Sequence, residues 1–405
     1  MEANFRNLPN LWTTKTLGEL LIVLKNGLNC KQNKNGDGDP VSRIETISFG
    51  AVDYSRVGYA TINKGDREKH TLLAGDILFS HINSPIHVGK TAILDGDRLL
   101  YHGVNLLLLR CSTEIDSSYL NGYLKYIFNS GYWVRRCKQS VNQASVNQKD
   151  IKKVKVPVPP LPEQERIVGV LDEAFEGIAT ATAQAEKNLQ NARELFQSVL
   201  QSTFSQKGDD WMETTLGEHI KFIDYRGKTP RKTVNGLRLI TAKNVRMGYL
   251  QKEPEEFVAH DTYEEWMTRG IPLMGDVLFT TEAPLGLACQ LDTDEKVVFA
   301  QRIITFQPNR SLVDPTYLKY VLMSPVMQSR IHDQATGATA QGIKASLLKK
   351  TLFPCPNLST QTKIVEKLDA LSEETKRLEA IYQRKLDALA ELKQSLLQRA
   401  FTGQL

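Results

Sequence analysis

An internal duplication constrains this chain more than any other feature of its sequence. Five short motifs occur twice in the same order, and each second copy lies 197 to 200 residues after the first. Thr-Leu-Gly-Glu occupies 16–19 and 215–218, and Gly-Asp-Ile/Val-Leu-Phe occupies 75–79 and 275–279. Two copies of one unit predict a pseudo-twofold fold, suited to a target that itself has two parts. A period this long excludes a short-repeat solenoid.

The composition is that of an ordinary globular protein. The 405 residues are 41% hydrophobic and 24% charged, which is enough material for two or more domains. No apolar run is long enough to span a membrane and the N-terminus lacks a secretion signal, so we expect a cytoplasmic location and no membrane partner. The five cysteines are widely spaced and fit neither a disulfide framework nor a zinc site. A net charge of +5 permits nucleic-acid binding without requiring it.

Each copy is predicted to contain an α+β globular domain followed by a long helix. Short apolar runs such as 75–79 and 106–109, separated by Gly, Asn and Asp clusters, are typical of strands. Residues 119–137 and 317–331 have the apolar spacing of helices. The predicted parts are globular domains at 1–160 and 208–357 and helical spacers at 161–207 and 358–405.

Both spacers carry apolar residues at alternating steps of three and four, which indicates a heptad seam. Prolines at 160 and 162 suit the start of the first helix, and Ser359 suits the N-cap of the second. About forty helical residues extend about 60 Å, so we predict that the two spacers pair as an antiparallel coiled coil. The alternative is that each helix packs on its own domain. The predicted seam residues are Ile167, Leu171, Ile178, Leu195, Leu368, Leu371, Leu378, Leu389 and Leu392.

The motifs of common catalytic sites are missing from the sequence. There is no glycine-rich phosphate loop, no dinucleotide motif, no Asn/Asp-Pro-Pro-Tyr/Phe loop and no metal-binding spacing of histidines. Asp76 and Asp276 recur after glycine, which favours a shared turn over an acid–base pair. We therefore predict no catalytic residue, no metal and no cofactor in this chain.

Polar and basic segments recur at matching positions of the two copies. Residues 138–149 and 334–344 are rich in Asn, Gln, Ser and Thr, which can contact bases and phosphates. The basic segments at 25–34 and 225–232 differ in sequence, as expected if one scaffold recognises two different sequences. Polar surface loops without a ligand are the alternative interpretation. The candidate DNA-binding residues are Lys25, Asn29, Lys31, Lys34, His81, Lys90, Asn142, Gln143, Ser145, Tyr225, Arg226, Lys228, Arg231, Lys232, Lys243, Asn244, Arg246, Thr336, Thr339, Gln341 and Lys344.

Over essentially its whole length, the chain resembles the specificity subunit of type I restriction–modification enzymes. The resemblance rests on the Trp-x-x-x-x-Leu-Gly-Glu opening of each copy and on the Gly-Asp-Ile/Val-Leu-Phe motif. Its most specific signal is Val-Pro-Val-Pro-Pro-Leu-Pro-Glu-Gln-Glu-Arg-Ile-Val at 156–168. The second copy keeps the glutamine, as Gln361, without the preceding Pro-Glu.

The resemblance implies a non-catalytic protein with two target-recognition domains, each reading one half of a bipartite double-stranded DNA sequence. The paired helices would set the gap and dock two methyltransferase subunits that use S-adenosylmethionine. Restriction (motor) subunits would use ATP and Mg, and the assembled complex would be a DNA adenine methyltransferase and endonuclease. The residues leave two alternatives open: a coiled-coil adaptor that binds only protein, and an atypical DNA methyltransferase or nuclease.

Overall fold

The computed structural model describes residues 8–140, 143–206, 208, 211–227, 229–300, 302–337 and 341–405. The chain forms two compact units. Unit 1 comprises Met1–Ala185 with Arg384–Leu405, and unit 2 comprises Glu186–Gln383. Each unit therefore contains one globular part together with a segment of each long helix.

Unit 1 has eleven short strands within the described residues: β1 Thr13–Thr16, β2 Leu21–Asn26, β3 Asp39–Val41, β4 Gly58–Ala60, β5 Ile77–Phe79, β6 Ile82–Asn83, β7 Thr91–Ile93, β8 Leu107–Cys111, β9 Lys138–Ser140, β10 Gln143–Ser145 and β11 Lys155–Val158. Its helices are α1 Leu17–Leu20, α2 Lys64–His70, α3 Ser117–Asn129 and α4 Gln148–Lys152, and the long helix α5 Leu161–Ser205 begins in it. Two 3-10 turns lie at Ile44–Ile47 and Tyr54–Arg56.

Unit 2 contains the strands β12 Met212–Thr215, β13 Ile220–Asp224, β14 Lys232–Thr233, β15 Leu237–Ile240, β16 Val245–Arg246, β17 Tyr249–Leu250, β18 Phe257–Val258, β19 Val277–Thr281, β20 Leu285–Gln290, β21 Val298–Phe299, β22 Ile303–Pro308 and β23 Leu352–Cys355. Its helices are α6 Leu216–His219, α7 Thr262–Trp266, α8 Pro315–Met323, α9 Pro325–Asp333 and α10 Ala345–Lys350. The long helix α11 Leu358–Phe401 begins in this unit.

The same antiparallel framework sheet is built in both units. Its strand order is β2-β8-β5-β7 in unit 1 and β13-β22-β19-β20 in unit 2. The Gly-Asp motif precedes the inner strand β5 or β19, whose apolar side chains are buried. Helix α3 packs against β7, and helix α8 packs against β20 in the same way. The repeated sequence motifs therefore correspond to repeated structure.

The insertions between framework strands differ between the units. Unit 2 adds a sheet of order β14-β18-β15-β21 and the hairpin β16-β17. Unit 1 has the pair β3-β4 in the corresponding part of its chain. The insertion of unit 2 packs in a cluster around Leu239 and Phe299 that also includes Leu278 of the framework, and that of unit 1 packs around Val41 and Tyr101. The structural difference between the units therefore lies in these insertions.

Both predicted medium-length helices are shorter than the sequence suggested. Helix α3 begins after Asp116, whose carboxylate accepts a hydrogen bond from the backbone N–H of Tyr119 at 2.8 Å. It ends at Asn129, because Gly131 adopts φ +72°, a left-handed conformation that closes helices. The predicted helix 317–331 is interrupted at Ser324, which ends α8 and caps α9 ahead of Pro325.

The two long helices are antiparallel within each unit. In unit 1, Ile167 and Leu171 of α5 share a core with Leu397 and Phe401 near the end of α11. In unit 2, the ion pair between Arg193 of α5 and Glu379 of α11 has an Nε–Oε2 distance of 3.2 Å. Further along unit 2, Leu200 and Phe204 share a core with Leu368. These contacts confirm the predicted antiparallel pairing within each unit.

The apolar seam follows a different register from the strict heptad of the prediction. Leu195 and Leu392 are 45% and 47% exposed, so these two seam assignments are wrong. Phe196 and Leu200 form the contact instead, because an α-helix has 3.6 residues per turn and drifts away from a 3.5-residue repeat. Of the other predicted seam residues, Ile167, Leu171, Ile178 and Leu368 are buried. Leu371, Leu378 and Leu389 are half-buried.

The second long helix begins one residue before the predicted cap. Its first residue is Leu358, and the side chain of Asn357 accepts a hydrogen bond from the backbone N–H of Thr360 at 3.0 Å. Asn357 therefore takes the capping role assigned to Ser359, as its short amide side chain suits. No helix in the described part of the chain is long and apolar enough to cross a membrane.

Candidate nucleic-acid interface

A basic cleft of about 420 Å³ lies in unit 2. Its cationic side chains come from two segments that are distant in sequence, the turn and hairpin after β15 and the start of β22. The lining residues are Thr241, Ala242, Lys243, Arg246, Pro254, Ala283, Pro284 and Arg302.

Asn244 is a buried residue that supports one wall of the cleft through its hydrogen bonds. Its side-chain oxygen accepts from the backbone N–H of Thr241 at 3.1 Å, and its amide donates to the carbonyl of Pro254 at 3.1 Å. Only 1% of Asn244 is exposed, so its assignment as a DNA-contacting residue is wrong. Its buried amide instead fixes the turn that presents Lys243 and Arg246, two candidates that do line the cleft.

Arg302 also lines the cleft and is a candidate that the sequence did not reveal. Its backbone has φ +64°, and its carbonyl accepts a hydrogen bond from the N–H of Thr281 at 2.8 Å. Its Nε lies 3.3 Å from Oε1 of Glu282. Pairing of β22 with β19 brings Arg302 beside the turn that follows β19, and no local motif signals that proximity.

Carboxylates hold part of this basic surface in place. Glu256 lies 2.8 Å from Nζ of Lys232 and 3.3 Å from Nζ of Lys243. The hydrogen bond from Lys232, with the weaker bond from Lys243, lowers the pKa of Glu256, so the carboxylate stays charged. Glu256 and Glu282 therefore pair with three of the four cations of this surface, Lys232, Lys243 and Arg302.

The polar segment before the last strand of unit 2 folds back beside the cleft. Isolated bridges join Gly342 to Thr336 and to Glu282, the residue next to Ala283 of the cleft. Gln341 is exposed, and its Oε1 lies 3.2 Å from Nδ1 of His332. Lys344 is also exposed, whereas Thr339 lies outside the described residues.

The segment 225–232 divides into structural and exposed residues. Tyr225 is buried, donates to the carbonyl of Gly270 at 2.7 Å and accepts from the N–H of Arg269 at 2.8 Å, so its assignment to DNA is wrong. Arg226 makes two hydrogen bonds to Asp224, at 2.8 and 2.7 Å. Arg231 is exposed, and Lys228 lies outside the described residues.

Unit 1 brings its own candidate segments together in the corresponding place. Strand β10 pairs with both β6 and β9, with Ser145 opposite Ile82 in the first pair. The amide of Gln148 donates to the side-chain oxygen of Asn26 at 2.9 Å, which joins the start of α4 to the end of β2. Gln143 is exposed and Ser145 half-buried, whereas Asn142 lies outside the described residues.

The remaining candidates of unit 1 fall into two groups. Asn29, Lys31 and Lys34 are exposed near the end of β2. Lys25 and Lys90 instead donate to backbone carbonyls within the unit, those of Lys69 at 2.6 Å and Ser48 at 3.0 Å. The second group is therefore held by the fold.

His81, one of the candidate DNA-binding residues, is buried in the structure. Only 7% of it is exposed, and its backbone carbonyl accepts from the N–H of Val146 at 2.9 Å. Burial lowers the pKa of His81, which favours a neutral imidazole. The assignment of the His81 side chain to DNA is therefore wrong.

The repeated aspartates form turns, as predicted. The carboxylate of Asp76 accepts from the N–H of Leu73 at 2.8 Å and makes two bonds of 2.7 Å with Arg110. Asp276 likewise accepts from the N–H of Leu273 at 2.8 Å. Among the residues described, no group of three or more His, Cys, Asp or Glu is placed to hold a metal ion.

Two related α+β units, each with the same framework sheet and a different insertion, define a protein built from two copies of one fold. Residues 9–191 and 208–385 match the family model described as "Type I restriction modification DNA specificity domain". The chain belongs to this family. The two matched regions correspond to the two copies of the sequence repeat.

Curated relatives of this chain are named as specificity subunits of type I restriction enzymes. The MjaX type I restriction enzyme specificity subunit of Methanocaldococcus jannaschii is 29% identical over 100% of this chain and 97% of its own length. The EcoKI specificity subunit of Escherichia coli is 29% identical over 50% of this chain and 44% of its own length.

Two solved structures share the fold. A chain solved in a study of complex assembly and conformational transition of the type I R-M system has a TM-score of 0.75 and 19% identity, covering 98% of this chain and 99% of its own. The HsdS subunit from Thermoanaerobacter tengcongensis has a TM-score of 0.63 and 18% identity, with 100% of both chains covered.

Family membership settles the class of protein. The chain is a sequence-specific DNA-recognition subunit of the type I restriction–modification class, with two recognition domains and no catalytic role of its own. An adaptor that binds only protein and an atypical methyltransferase or nuclease are both disfavoured by this assignment.

Proposed function

We propose that each unit recognises one half of a bipartite DNA target through the surface where the polar segment before its last strand meets the turn after the Gly-Asp strand. The single observation that carries this proposal is the recurrence of that arrangement. In unit 1, Ala144 is paired with Asn83, and in unit 2, Gly342 bridges Glu282. The framework at these places is shared while the surrounding side chains differ, as two different half-sites require.

The chemistry of the exposed side chains supports a division of labour at these surfaces. Gln143 of unit 1 and Gln341 of unit 2 carry amides that can pair with both hydrogen-bonding groups of an adenine edge. Lys31 and Arg231 are exposed cations at the corresponding basic segments, and such residues hold backbone phosphates. We assign base contacts to the polar segments that contain Gln143 and Gln341. We assign phosphate contacts to the basic segments that contain Lys31 and Arg231.

The proposal extends to the assembled complex. The relatives are subunits of type I restriction enzymes, which supports binding to two methyltransferase subunits and to restriction subunits. Those partners would supply S-adenosylmethionine, ATP and Mg, while this chain supplies the choice of sequence. The cytoplasm, where such a complex meets DNA, is the proposed location. The four-part division at residues 160, 207 and 357 remains a prediction.

We also propose that the long helices set the gap between the half-sites. They comprise 45 and 44 residues, which at 1.5 Å per residue is about 65 Å of helix. A seven-residue insertion in each helix adds about 10 Å, equal to about three base pairs. Mapped targets should then keep both half-sites and have a gap about three base pairs longer. An unchanged gap would reject a spacing role for the helices.

Methylation mapping tests the assignment of the half-sites. The full chain is co-expressed with its methyltransferase partner, and methylated positions across the host genome give the motif. Gln143→Ala should relax recognition in one half-site only, and Gln341→Ala in the other, with Gln190→Ala on the exposed face of α5 as the control. A wild-type motif without two parts, or substitutions that alter both halves together, would contradict the proposal.

A further inference from the structure

The basic cleft of unit 2 has the chemistry of a phosphate site. We propose that Lys243, Arg246 and Arg302 bind a phosphate of the DNA backbone and thereby fix the position of unit 2 on the duplex. This inference rests on the proposed function and specifies the task of one part of that surface.

Charge placement is the first support. Three cationic side chains line one concavity of about 420 Å³, while the lining residues of this described cleft include neither Glu256 nor Glu282. Those carboxylates stand 3.3 Å from Lys243 and 3.3 Å from Arg302, respectively. They therefore restrain two of the cations without filling the cleft. Two guanidinium groups and one ammonium are well suited to the oxygens of a single phosphate.

Backbone conformation is the second support. Ala283 and Arg302, which both line the cleft, have φ angles of +45° and +64°. Residues with a Cβ rarely adopt this conformation, because the Cβ crowds the following carbonyl oxygen. The fold maintains it through the 2.8 Å hydrogen bond from Thr281 to the carbonyl of Arg302. Two such residues at one basic cleft are typical of a site whose geometry serves a ligand.

The polar segment next to the cleft indicates which kind of DNA contact the cleft makes. Gly342 bridges Glu282, so the exposed amide of Gln341 belongs to a segment next to the cleft. Phosphate contacts fix orientation and carry no base information, whereas amide side chains distinguish bases. The cleft thus acts as a clamp that holds a phosphate independently of sequence, and the polar segment with Gln341 beside it reads bases. A free nucleotide offers the same phosphate chemistry, so the test includes one.

Salt dependence of binding to a random-sequence duplex isolates the phosphate contact. The probe is a labelled random-sequence duplex, and the protein is the full chain assembled with its methyltransferase partner. Arg302→Asn removes the charge while keeping a residue that tolerates positive φ. We expect weaker binding and a slope of log K against log salt that is shallower by about 0.9. Arg302→Lys, which keeps the charge, should retain the wild-type slope.

Matched variants separate the clamp from general effects of charge or folding. Lys296→Gln removes an exposed cation of unit 2 that pairs with Glu264 and is not among the lining residues, and its slope should equal that of wild type. Arg246→Gln, like Arg302→Asn, should weaken binding and make the slope shallower by about 0.9. If thermal unfolding shows that Arg302→Asn is misfolded, the slope of Arg246→Gln tests the clamp instead.

Two outcomes would overturn the proposal. One is a wild-type slope in both Arg302→Asn and Arg246→Gln. The other is saturable binding of ADP to wild type that Arg302→Asn abolishes while the DNA slope stays unchanged. Neither result depends on the methylation motif. Failure of the clamp is therefore distinguishable from failure of the half-site assignment, which appears as a wild-type motif without two parts.

Discussion

The side-chain oxygen of Gln164 accepts a hydrogen bond from the backbone N–H of Asp116 at 2.8 Å, and its amide donates to the carbonyl of Pro159 at 2.8 Å. Gln361 makes the same two bonds with Asp314 and Pro356, also at 2.8 Å. Both glutamines are fully buried. Each one ties the first turn of a long helix to the cap of the helix that covers the framework sheet, which explains why glutamine survives where the rest of the junction motif differs.

Replacing Gln164 with Leu should destabilise unit 1. The substitution leaves a backbone N–H and a carbonyl buried without partners, at about 1–3 kcal/mol each, so we expect a loss of about 2–6 kcal/mol in the free energy of unfolding. Denaturant unfolding measures this quantity. Gln190→Ala, at an exposed position on the same helix, should change it by less than about 0.5 kcal/mol. Equal effects of the two variants would remove the structural role of Gln164.

The corrected seam of α5 predicts different effects for two nearby leucines. Leu200 is fully buried against unit 2, so Leu200→Ala should lower the free energy of unfolding by about 2–5 kcal/mol. Leu195 is exposed, so Leu195→Ala should change it by less than about 0.5 kcal/mol. Thermal unfolding of the two variants compares them directly. A larger effect at Leu195 would restore the strict heptad register.

Stability should fall in mild acid because of His102. Its imidazole is fully buried, and burial lowers its pKa from 6.5 to about 4, against the opposing effect of its hydrogen bond to Leu106. Between these values the unfolded chain binds a proton that the folded chain does not. The contribution of this group is therefore complete above pH 6.5 and is lost as the pH falls toward 4, by about 3 kcal/mol in total.

Unfolding measured from pH 7 to pH 5 tests this expectation. His102→Gln retains a donor for the carbonyl of Leu106 and cannot take up the proton, so its stability should depend less on pH than that of wild type. His260→Gln, at an exposed position of unit 2, is the matched control. If wild type and His102→Gln have parallel pH profiles, the buried histidine does not account for the acid sensitivity.

Asn244 and Arg231 should separate folding from recognition in unit 2. Asn244→Ala removes a buried side chain that bonds Thr241 and Pro254, so it should destabilise unit 2 by about 1–3 kcal/mol. Arg231→Ala should leave unfolding unchanged and weaken DNA binding, with a shallower salt dependence. Thermal unfolding and duplex binding are measured on both variants. A reversed pattern would mean that the two residues have exchanged roles.

Several elements of the fold follow directly from local sequence. The long apolar period predicts α5 and α11, since this signal acts within a few residues along the chain. Apolar spacing also predicts α3, although the predicted helix ran to residue 137, past the actual end at Asn129 that Gly131 imposes. The inner strand after Gly-Asp is predictable because an uninterrupted apolar run must be buried. The exact seam register was not predictable, since it depends on how a 3.6-residue helix drifts along its partner.

Only some residues of the candidate interface could be predicted from the local sequence. The sequence identified Lys243, Arg246 and Gln341 by residue type, and it also selected Tyr225 and Asn244, which the structure buries. Polar and aromatic side chains have the same chemistry in a core as on a surface, so composition alone does not separate the two environments. Arg302 was missed because it follows no motif and joins the cleft only through strand pairing.

The sequence by itself determined the duplication, the α+β class, the two long helices and the family, because these properties are written in local patterns and in their repetition. Tertiary structure decided which side chains meet. The cleft forms from segments around Lys243 and Arg302 that are far apart along the chain, and Gln164 reaches Asp116 only after the helix docks. Such contacts depend on backbone paths through space, which no local pattern of residues specifies.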